Sequence, residues 1–470
     1  MKSFRLIYPV IVLLAAIACF GLRWGYTRHY ADQVQILEKT GGDAADYFVI
    51  AYTLGQTGKY AHPANADYEK IRDGILRGQP VTVEAGDSDS WRPPVWPFVL
   101  MLMQKAAGTS VATLFALRFL LDVVTLLLFA KLLTYFPWSL WLKGVCLFAF
   151  ALHPTWLLYS SVFLSEPLSM LMLVAFTVVL FHLLQAKRRV PAVVGCGILG
   201  GLVILTHPFF VFFPLLALGL LCWRRLLPFR SALAVLTLCA LTVSPWLFRN
   251  MLLFHTAKPI LTTSAGSVIG RTWNDDFLHN YRNTTAECDL SEIGAPSGLN
   301  AAQCSDWLIH QSLSYALQNW RMVPAIVTRK LTGAITPFPE TYRPGLLEHG
   351  RCMAQVLTIG PVFWLLLFGF RPGQRSRLSA DGGLADGNTG IANVRFIFPV
   401  LRCILGGLFL AYLLMCIVSY ASIRFRAPLV WAELICLFIA LDAFLNRSPN
   451  RMYTPGAERE PGHSCSRLSK

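Results

Sequence analysis

The stretch EPLSMLMLVAFTVVLFHLL, residues 166–184, decides the fold class. It carries one formally charged side chain, Glu166, at its first position, and almost all of the side chains that follow are apolar. About 20 such residues form an α-helix long enough to cross the hydrocarbon core of a bilayer. Because no water is available there, the segment must satisfy its own backbone hydrogen bonds, as a helix does. The sequence therefore predicts a membrane-spanning helix that begins at Glu166.

Apolar stretches of this kind recur along the 470-residue chain. Hydrophobic residues make up 55% of it and charged residues 14%, against about 45–50% and about 25% in ordinary globular chains. This composition excludes a soluble globular enzyme and a disordered or fibrous protein. We predict an all-α membrane protein with about ten transmembrane helices, near residues 6–26, 115–135, 141–159, 166–184, 192–206, 208–222, 231–248, 355–370, 397–419 and 428–445.

The formal net charge of +15 indicates positive-inside flanks and contact with anionic lipids rather than a nucleic-acid partner. Lys and Arg are concentrated in the segments that lie inside if the N-terminus is inside. The segment 420–427, with Arg424 and Arg426, is the exception. We therefore predict a multi-pass protein of the plasma membrane, the inner membrane of a bacterium, with both termini inside and the active site on the outer face.

Two long segments between spans are predicted to face outside. The first of these segments contains Arg92-Pro93-Pro94, and the short apolar stretch 98–104 that follows predicts a juxtamembrane helix on the outer interface.

The first predicted span continues to Tyr26, which favours an uncleaved anchor over a signal peptide. The predicted organisation is an N-terminal transmembrane anchor (1–26), a first outer loop with juxtamembrane helices and the catalytic motif (27–114), a transmembrane bundle (115–248), a second outer loop (249–354), C-terminal transmembrane helices (355–446) and a basic cytoplasmic tail (447–470).

Two acids lie where predicted spans meet the outer side. Tyr47, Ala51 and Leu54 recur at three-to-four spacing, which predicts a helix that begins near Asp43. A plain capping role is the alternative for Asp43, and a first-turn acid favoured by the helix dipole is the alternative for Glu166. An ionisable group at the membrane boundary is nevertheless a functional candidate.

Four arginines lie near the same predicted boundary. A guanidinium offers a fork of fixed donors that suits phosphate, although each arginine taken alone could be an interfacial anchor. The four are Arg92, Arg249, Arg424 and Arg426.

Other polar residues favour structural roles. Arg118 and Asp122 are four residues apart within one span and predict a neutralising pair that braces the bundle. His153 and His207 each precede a proline at the outer end of a span and predict packing or hydrogen bonding rather than metal binding. A disulfide between Cys288 and Cys304 in the second outer loop stays open, because that loop is predicted to face an oxidising compartment.

Several short motifs, in their order and in their spacing relative to the spans, resemble the polytopic GT-C glycosyltransferases. The similarity is greatest to the group that includes the protein O-mannosyltransferases and the lipid A aminoarabinose transferase, and it extends from about Asp43 to Pro428. The motifs are Asp43-x-x-x-Tyr47, Arg92-Pro93-Pro94-x-x-Pro97, Ala116-Leu117-Arg118, His153-Pro154, Ser165-Glu166-Pro167, Thr206-His207-Pro208, Pro245-Trp246-Leu247-Phe248-Arg249-Asn250 and Arg424-Phe425-Arg426-x-Pro428.

The resemblance implies transfer of a sugar from a polyprenyl- or dolichyl-phosphate carrier to a hydroxyl acceptor on the non-cytoplasmic face. It implies that Asp43 is the general base or orients it, that Glu166 is a second functional acid, and that Arg92 contacts the carrier phosphate. Ala44 stands where many members have a second acid, and Trp91 where metal-binding members have an acid. These departures disfavour a divalent metal, and no other cofactor is predicted.

The residue types suit this chemistry without the resemblance. A carboxylate can accept the proton of an attacking hydroxyl, fixed cations can stabilise the departing phosphate, and a single displacement inverts the anomeric centre. The predicted partners are a polyprenyl-phosphate-sugar donor, membrane lipids and a lipid, glycan or protein acceptor. Two alternatives stay open: a transporter or flippase of lipid-linked sugars, and a polysaccharide ligase or polymerase. The latter would use His255, Arg271, His279 and His310 of the second outer loop.

Overall fold

The computed structural model describes most of the chain. The described residues are 2–29, 43–64, 74, 79, 81–88, 90–108, 110–186, 189–274, 277, 296, 298–335, 346–367, 390–419 and 423–445. Cys288, His279 and the predicted cytoplasmic tail lie outside them.

The described residues are overwhelmingly helical, which confirms the predicted all-α class. One pair of short antiparallel strands, in which Ala61 lies opposite Ser88, is the exception among them. In chain order the elements are α1 (Lys2–His29), α2 (Asp43–Thr57), β1 (Ala61–Pro63), β2 (Ala85–Ser88), α3 (Val95–Ala107), α4 (Val111–Leu133), α5 (Leu140–Ala151), α6 (Pro154–Ser160), α7 (Glu166–Gln185), α8 (Val190–Thr206), α9 (Phe213–Trp223), α10 (Phe229–Leu253), α11 (Ser264–Gly270), α12 (Ala301–Gln318), α13 (Val323–Ile335), α14 (Leu346–Leu367), α15 (Gly390–Val418), α16 (Ile423–Arg426) and α17 (Val430–Leu445).

Five helices in the described part of the chain are long and apolar enough to cross a membrane. They are residues Leu6–His29 of α1, the whole of α4, α7 and α10, and residues Ile397–Val418 of α15. The pair α5 and α6, bent by 41° at the break between them, would make a sixth. Helices also occupy the other predicted ranges, but several are shorter than a full span, so this measure gives fewer spans than the predicted ten.

The break between α8 and α9 lies between the two spans predicted at 192–206 and 208–222. The helix α8 ends at Thr206 and is followed by His207, and Pro208, which has no backbone N–H to continue a helix, begins a short 3₁₀ turn. The ring of His207 packs against Phe210 and Phe425, with centroids 5.7 and 5.6 Å apart. The packing role predicted for this histidine is therefore confirmed.

The helix α3 confirms the helix predicted in the first outer loop. It has 13 residues, too few to span a bilayer. Its side chains Trp96 and Leu100 are buried while Phe98 and Leu102 are exposed. It therefore presents one apolar face to the protein and leaves another uncovered, and its juxtamembrane position stays a prediction.

Exposed large apolar side chains lie on several of the long helices. Leu13, Leu120 and Leu241 are 60%, 50% and 59% exposed on α1, α4 and α10. A soluble monomer rarely leaves such surfaces uncovered. They are the surfaces that a lipid bilayer would cover.

Close contact between α8 and α10 depends on two glycines four residues apart. A Cβ atom on Gly197 would lie 2.3 Å from Cβ of Leu238, and one on Gly201 would lie 2.5 Å from Cβ of Thr242. Small residues at this spacing allow the backbones of two membrane helices to approach each other closely. The glycines therefore fix the separation of α8 and α10.

Buried charges brace the bundle around Asp122. Arg118 Nη1 donates to Asp122 Oδ1 at 2.8 Å, and Arg23 Nε donates to Asp122 Oδ2 at 3.1 Å. All three side chains are fully buried. The predicted Arg118–Asp122 pair is confirmed, and Arg23, which also donates to the Ala151 carbonyl at 2.9 Å, extends it to α1 and α5.

The end of α15 is held by side chains from the 249–354 segment. Three successive carbonyls, those of residues 417–419, accept hydrogen bonds from Lys330 Nζ at 3.0 Å, Trp273 Nε1 at 2.9 Å and Thr272 Oγ1 at 2.8 Å. The last carbonyls of a helix have no partner within it, so these contacts complete the helix end. They fix the backbone a few residues before Arg424.

Candidate active site

Four side chains from distant parts of the sequence meet at one cluster. Asp43 is the first residue of α2, Glu166 is the first residue of α7, Arg92 precedes α3, and Arg424 lies on the single turn α16. Arg424 is 258 positions from Glu166 and 381 positions from Asp43. The cluster therefore exists only when the ends of several helices are packed together.

Asp43 lies between two guanidiniums. Its Oδ2 accepts a hydrogen bond from Arg424 Nη1 at 2.5 Å, and its Oδ1 contacts Arg92 Nη2. Arg424 also contacts Glu166 Oε1 through Nε. Arg92 Nη2 and Nε also donate to Asp46 Oδ2, at 2.6 and 3.2 Å. The result is a chain of alternating charges from Asp46 to Glu166, with Asp43 at its centre.

The cluster is closed at one end and accessible at the other. The Glu166 side chain is fully buried, whereas Asp43 is 26% and Arg424 17% exposed. Burial raises the pKa of Asp43, but Arg424 and Arg92 lower it by more than burial raises it. The pKa therefore lies below the usual 3.8. Asp43 is therefore an ionised carboxylate that a molecule from outside can reach.

Tyr47, one turn after Asp43, packs beside Arg92. The Arg92 guanidinium lies 5.4 Å from the centroid of its ring, and its hydroxyl lies 3.3 Å from Ser165 Oγ. Burial raises the pKa of Tyr47 to about 12. This hydroxyl therefore keeps its proton near neutral pH and can donate a hydrogen bond but not act as a base.

Local sequence explains how Arg92 and Glu166 come together. Pro93 and Pro94 fix the backbone before α3, and Tyr60 donates from its hydroxyl to the Arg92 carbonyl at 2.9 Å. Trp96 Nε1 donates to the Phe163 carbonyl at 3.0 Å, in the turn that precedes α7. The Arg-Pro-Pro segment is thereby attached to the loop that carries Glu166.

The other two predicted arginines lie in networks of their own. Arg426 Nη2 donates to Glu433 Oε1 at 2.8 Å, and both side chains are buried. Arg249 donates to Ser90 Oγ at 2.9 Å and stacks on Trp246 at 4.7 Å. The roles predicted for Arg426 and Arg249 at a donor phosphate stay predictions.

Sequence reasoning missed Asp46. It lies three residues after Asp43 on the same helix, and this spacing, which places two side chains on one helix face, was the available signal. Asp46 contacts Arg92, as Asp43 does, and its Oδ1 lies 3.9 Å from His62 Nε2. A second carboxylate is therefore present although Ala44 follows Asp43.

The structure also bears on the residues considered for metals and disulfides. Among the described residues, no group of three or more His, Cys, Asp or Glu side chains is placed to hold a metal ion. Cys304 is a free thiol within that part of the chain. The disulfide considered with Cys288 lies outside the described residues.

Comparisons with known proteins find similarity in the fold alone. No family model matches the sequence, and no curated protein matches it. The chain is similar to ArnT from Cupriavidus metallidurans bound to undecaprenyl phosphate, with 12% identity, 93% of this chain and 78% of that chain covered, and a TM-score of 0.35. It is also similar to the same protein in the apo state, with 13% identity, 84% and 72% covered, and a TM-score of 0.33.

Proposed function

We propose that this protein is a membrane glycosyltransferase. It transfers a sugar from a polyprenyl-phosphate carrier to a hydroxyl group of a lipid, glycan or protein acceptor on the non-cytoplasmic face. The single observation that supports this most strongly is the Asp43 carboxylate between the guanidiniums of Arg92 and Arg424. This arrangement places a proton acceptor beside two fixed cations suited to a phosphate.

Each step of the transfer has a side chain suited to it. The acceptor oxygen forms a bond to the anomeric carbon while the bond from that carbon to the phosphate oxygen breaks. Asp43 takes the hydroxyl proton, and the electron pair goes to the phosphate oxygen, whose charge Arg92 and Arg424 stabilise. Glu166 contacts Arg424 from the buried side of the cluster and orients its guanidinium. A single displacement of this kind inverts the anomeric centre.

The place of the cluster suits a lipid-linked donor. Glu166 is the first residue of a 20-residue apolar helix, so Arg424 and Asp43 lie at the end of a candidate span rather than at its middle. A carrier with an apolar tail would present its phosphate at this depth. The Lys and Arg distribution supports an outward-facing site.

The geometry favours a transferase over a transporter. Transporter sites lie near the midplane of the bilayer and line a path between helices. The charges within the described spans that could line such a path include Arg23, Arg118 and Asp122, and these are fully buried and paired. A transport path would require these side chains to line a cavity that the transported molecule can enter.

Binding of undecaprenyl phosphate to the purified protein tests the proposal. We expect Arg92→Gln and Arg424→Gln each to weaken binding by about 10- to 100-fold, because a hydrogen bond to a charged group contributes about 1.5–3 kcal/mol. Arg230→Gln is the matched control, since Arg230 is exposed at the start of α10, the opposite end of that helix from Arg249. Undecaprenol, which lacks the phosphate, should not compete.

Equal binding by the wild-type protein and by both active-site variants would contradict the proposal. Native mass spectrometry in detergent can count bound lipids, and a competition series with undecaprenol separates phosphate recognition from tail recognition. Monodisperse size-exclusion profiles show that the variants are folded.

A further inference from the structure

The three carboxylates of the cluster contact the two guanidiniums in different ways. Asp43 gives one oxygen to each guanidinium, so it is shared by both. Asp46 holds Arg92 through Nε and Nη2 together, and Glu166 contacts Arg424 through Nε. Asp43 is therefore the central member, and the other two flank it.

This arrangement has one more carboxylate than guanidinium. With all three carboxylates ionised the cluster carries a net negative charge, which would repel a phosphodiester. The donor proposed above could bind only if one carboxylate gave up its place on the arginines. Asp43 is the candidate, because both of its oxygens occupy guanidinium N–H groups that a phosphate would use.

We propose that the donor phosphate binds by replacing Asp43 on Arg92 and Arg424, while Asp46 and Glu166 keep the two guanidiniums in position. This inference rests on the proposed function and adds a regulation of the same site. The donor is the ligand that releases the catalytic base.

The flanking carboxylates are suited to hold their arginines during this exchange. Glu166 is fully buried and lies at the first position of α7, followed by Pro167, so its backbone is fixed. Asp46 lies within the first turn of α2 and binds two donors of one guanidinium. Asp43 is the most exposed of the three, at 26% against 22% for Asp46, and is the first residue of its helix.

The exchange links donor binding to base strength. While both guanidiniums hold Asp43, they keep its pKa below the ordinary value, despite the opposing effect of burial. Once the phosphate takes these contacts, the carboxylate loses their stabilisation and its pKa rises, so it becomes a stronger base. A protein without donor would hold a weak base and would not activate water or an acceptor.

The same exchange returns the site to its first state. The reaction turns the donor phosphodiester into a phosphate monoester of greater negative charge and leaves the acceptor proton on Asp43. The guanidiniums then hold the monoester, since a protonated Asp43 cannot compete for them. Loss of that proton to water restores the carboxylate, which retakes both arginines once the carrier has dissociated.

Three matched substitutions test the exchange, each replacing a carboxylate by its amide. The measurement is the affinity of the purified protein for undecaprenyl phosphate. We expect Asp43→Asn to bind it about tenfold more tightly, because the competing charge is gone. We expect Asp46→Asn and Glu166→Gln to bind it about tenfold more weakly, because a guanidinium loses its anchor.

The opposite signs separate this mechanism from simpler ones. Tighter binding by all three variants would show that net charge alone decides affinity and would overturn the anchoring roles. Weaker binding by Asp43→Asn would overturn the exchange. If undecaprenyl phosphate bound no better than undecaprenol and without dependence on Arg92 and Arg424, the proposed function itself would fail. The two failures are therefore distinguishable.

A measurement on the unaltered protein gives a test that does not depend on folding of a variant. The pH profile of kcat/KM for the donor reports the free enzyme, and that of kcat reports the donor complex. We expect the acidic limb of kcat to lie at higher pH than that of kcat/KM. Coincident limbs would overturn the exchange.

Discussion

Replacing Arg424 by glutamine should destabilise the protein by about 3–5 kcal/mol, the range observed when one member of a buried ion pair is removed. Glu166 is fully buried, its Oε1 contacts Arg424, and its Oε2 has no hydrogen-bond partner among the described residues. The substitution leaves this carboxylate in the protein interior with its cation gone. Loss of Arg424 destabilises the Asp43 carboxylate less, because Asp43 keeps its contact with Arg92 and is partly exposed.

The double variant Arg424→Gln/Glu166→Gln separates loss of the pair from loss of either side chain. It removes both charges, so no uncompensated carboxylate is left. We expect it to recover about 2 kcal/mol relative to the sum of the two single losses, within the range for directly contacting residues. Transfer activity should not recover, because Arg424 is still absent from the phosphate.

Unfolding in mild detergent micelles, followed by circular dichroism, measures these differences. Arg230→Gln is the control for loss of an exposed arginine and should change stability by about 0.5 kcal/mol or less. Our account of the cluster is refuted if Arg424→Gln is as stable as this control. It is also refuted if the losses of the two single variants add to that of the double variant.

Three further predictions concern stability. Burial raises the pKa of Asp43, but the two neighbouring guanidiniums depress it below 3.8. The contribution of the Asp43 carboxylate to the free energy of unfolding should therefore be fully present above that pH and lost only as the pH falls through the lower folded-state pKa. Unfolding measured as a function of acid pH, for the wild-type protein and for Asp43→Asn, checks this. Asp122→Asn should destabilise by about 3–5 kcal/mol because two buried guanidiniums lose their partner, whereas the same change at Asp306, in an exposed pair, should lie within about 1 kcal/mol; equal effects in denaturant melts would contradict the assignment. Gly201→Ala should destabilise by about 1–3 kcal/mol by overpacking, whereas Gly219→Ala, with open space around it, should stabilise by about 0.5–1 kcal/mol; thermal melts that show the same sign for both would be inconsistent with this packing.

The sequence alone predicted the features that depend on local patterns. Hydropathy located the long spans, because each is a continuous apolar stretch that needs no information from the rest of the chain. Helical spacing predicted that α2 begins near Asp43 and that Arg118 pairs with Asp122. The break at His207 followed from the chemistry of proline.

Features that depend on long-range packing were harder to predict. Arg424 and Arg426 broke the positive-inside pattern, and each turns out to be paired with carboxylates, Arg426 with Glu433 and Arg424 with two acids of the cluster. Glu433 lies seven positions from Arg426. Glu166 and Asp43, in contrast, lie 258 and 381 positions from Arg424, so no local pattern identifies them. Arg23 was hidden inside an apolar span for the same reason, since its carboxylate lies on a different helix.

The number of spans could not be taken from apolar length alone. The helices α8 and α9 are apolar throughout, but they have 17 and 11 residues, short of the about 20 that a simple crossing needs. Their apolar composition therefore predicts burial in lipid or protein but does not by itself set the number of crossings.

The most direct test of the central claim is phosphorus NMR of the carrier during the reaction. The protein is reconstituted in liposomes with an undecaprenyl-phosphate-linked sugar and membrane acceptors. Our account predicts that the phosphodiester signal of the donor converts to the monoester signal of undecaprenyl phosphate with the wild-type protein and does not with Asp43→Asn, a loss of at least about 10²-fold. A donor signal that stays unchanged with the wild-type protein, as for a transporter, or equal conversion by Asp43→Asn, would contradict the account.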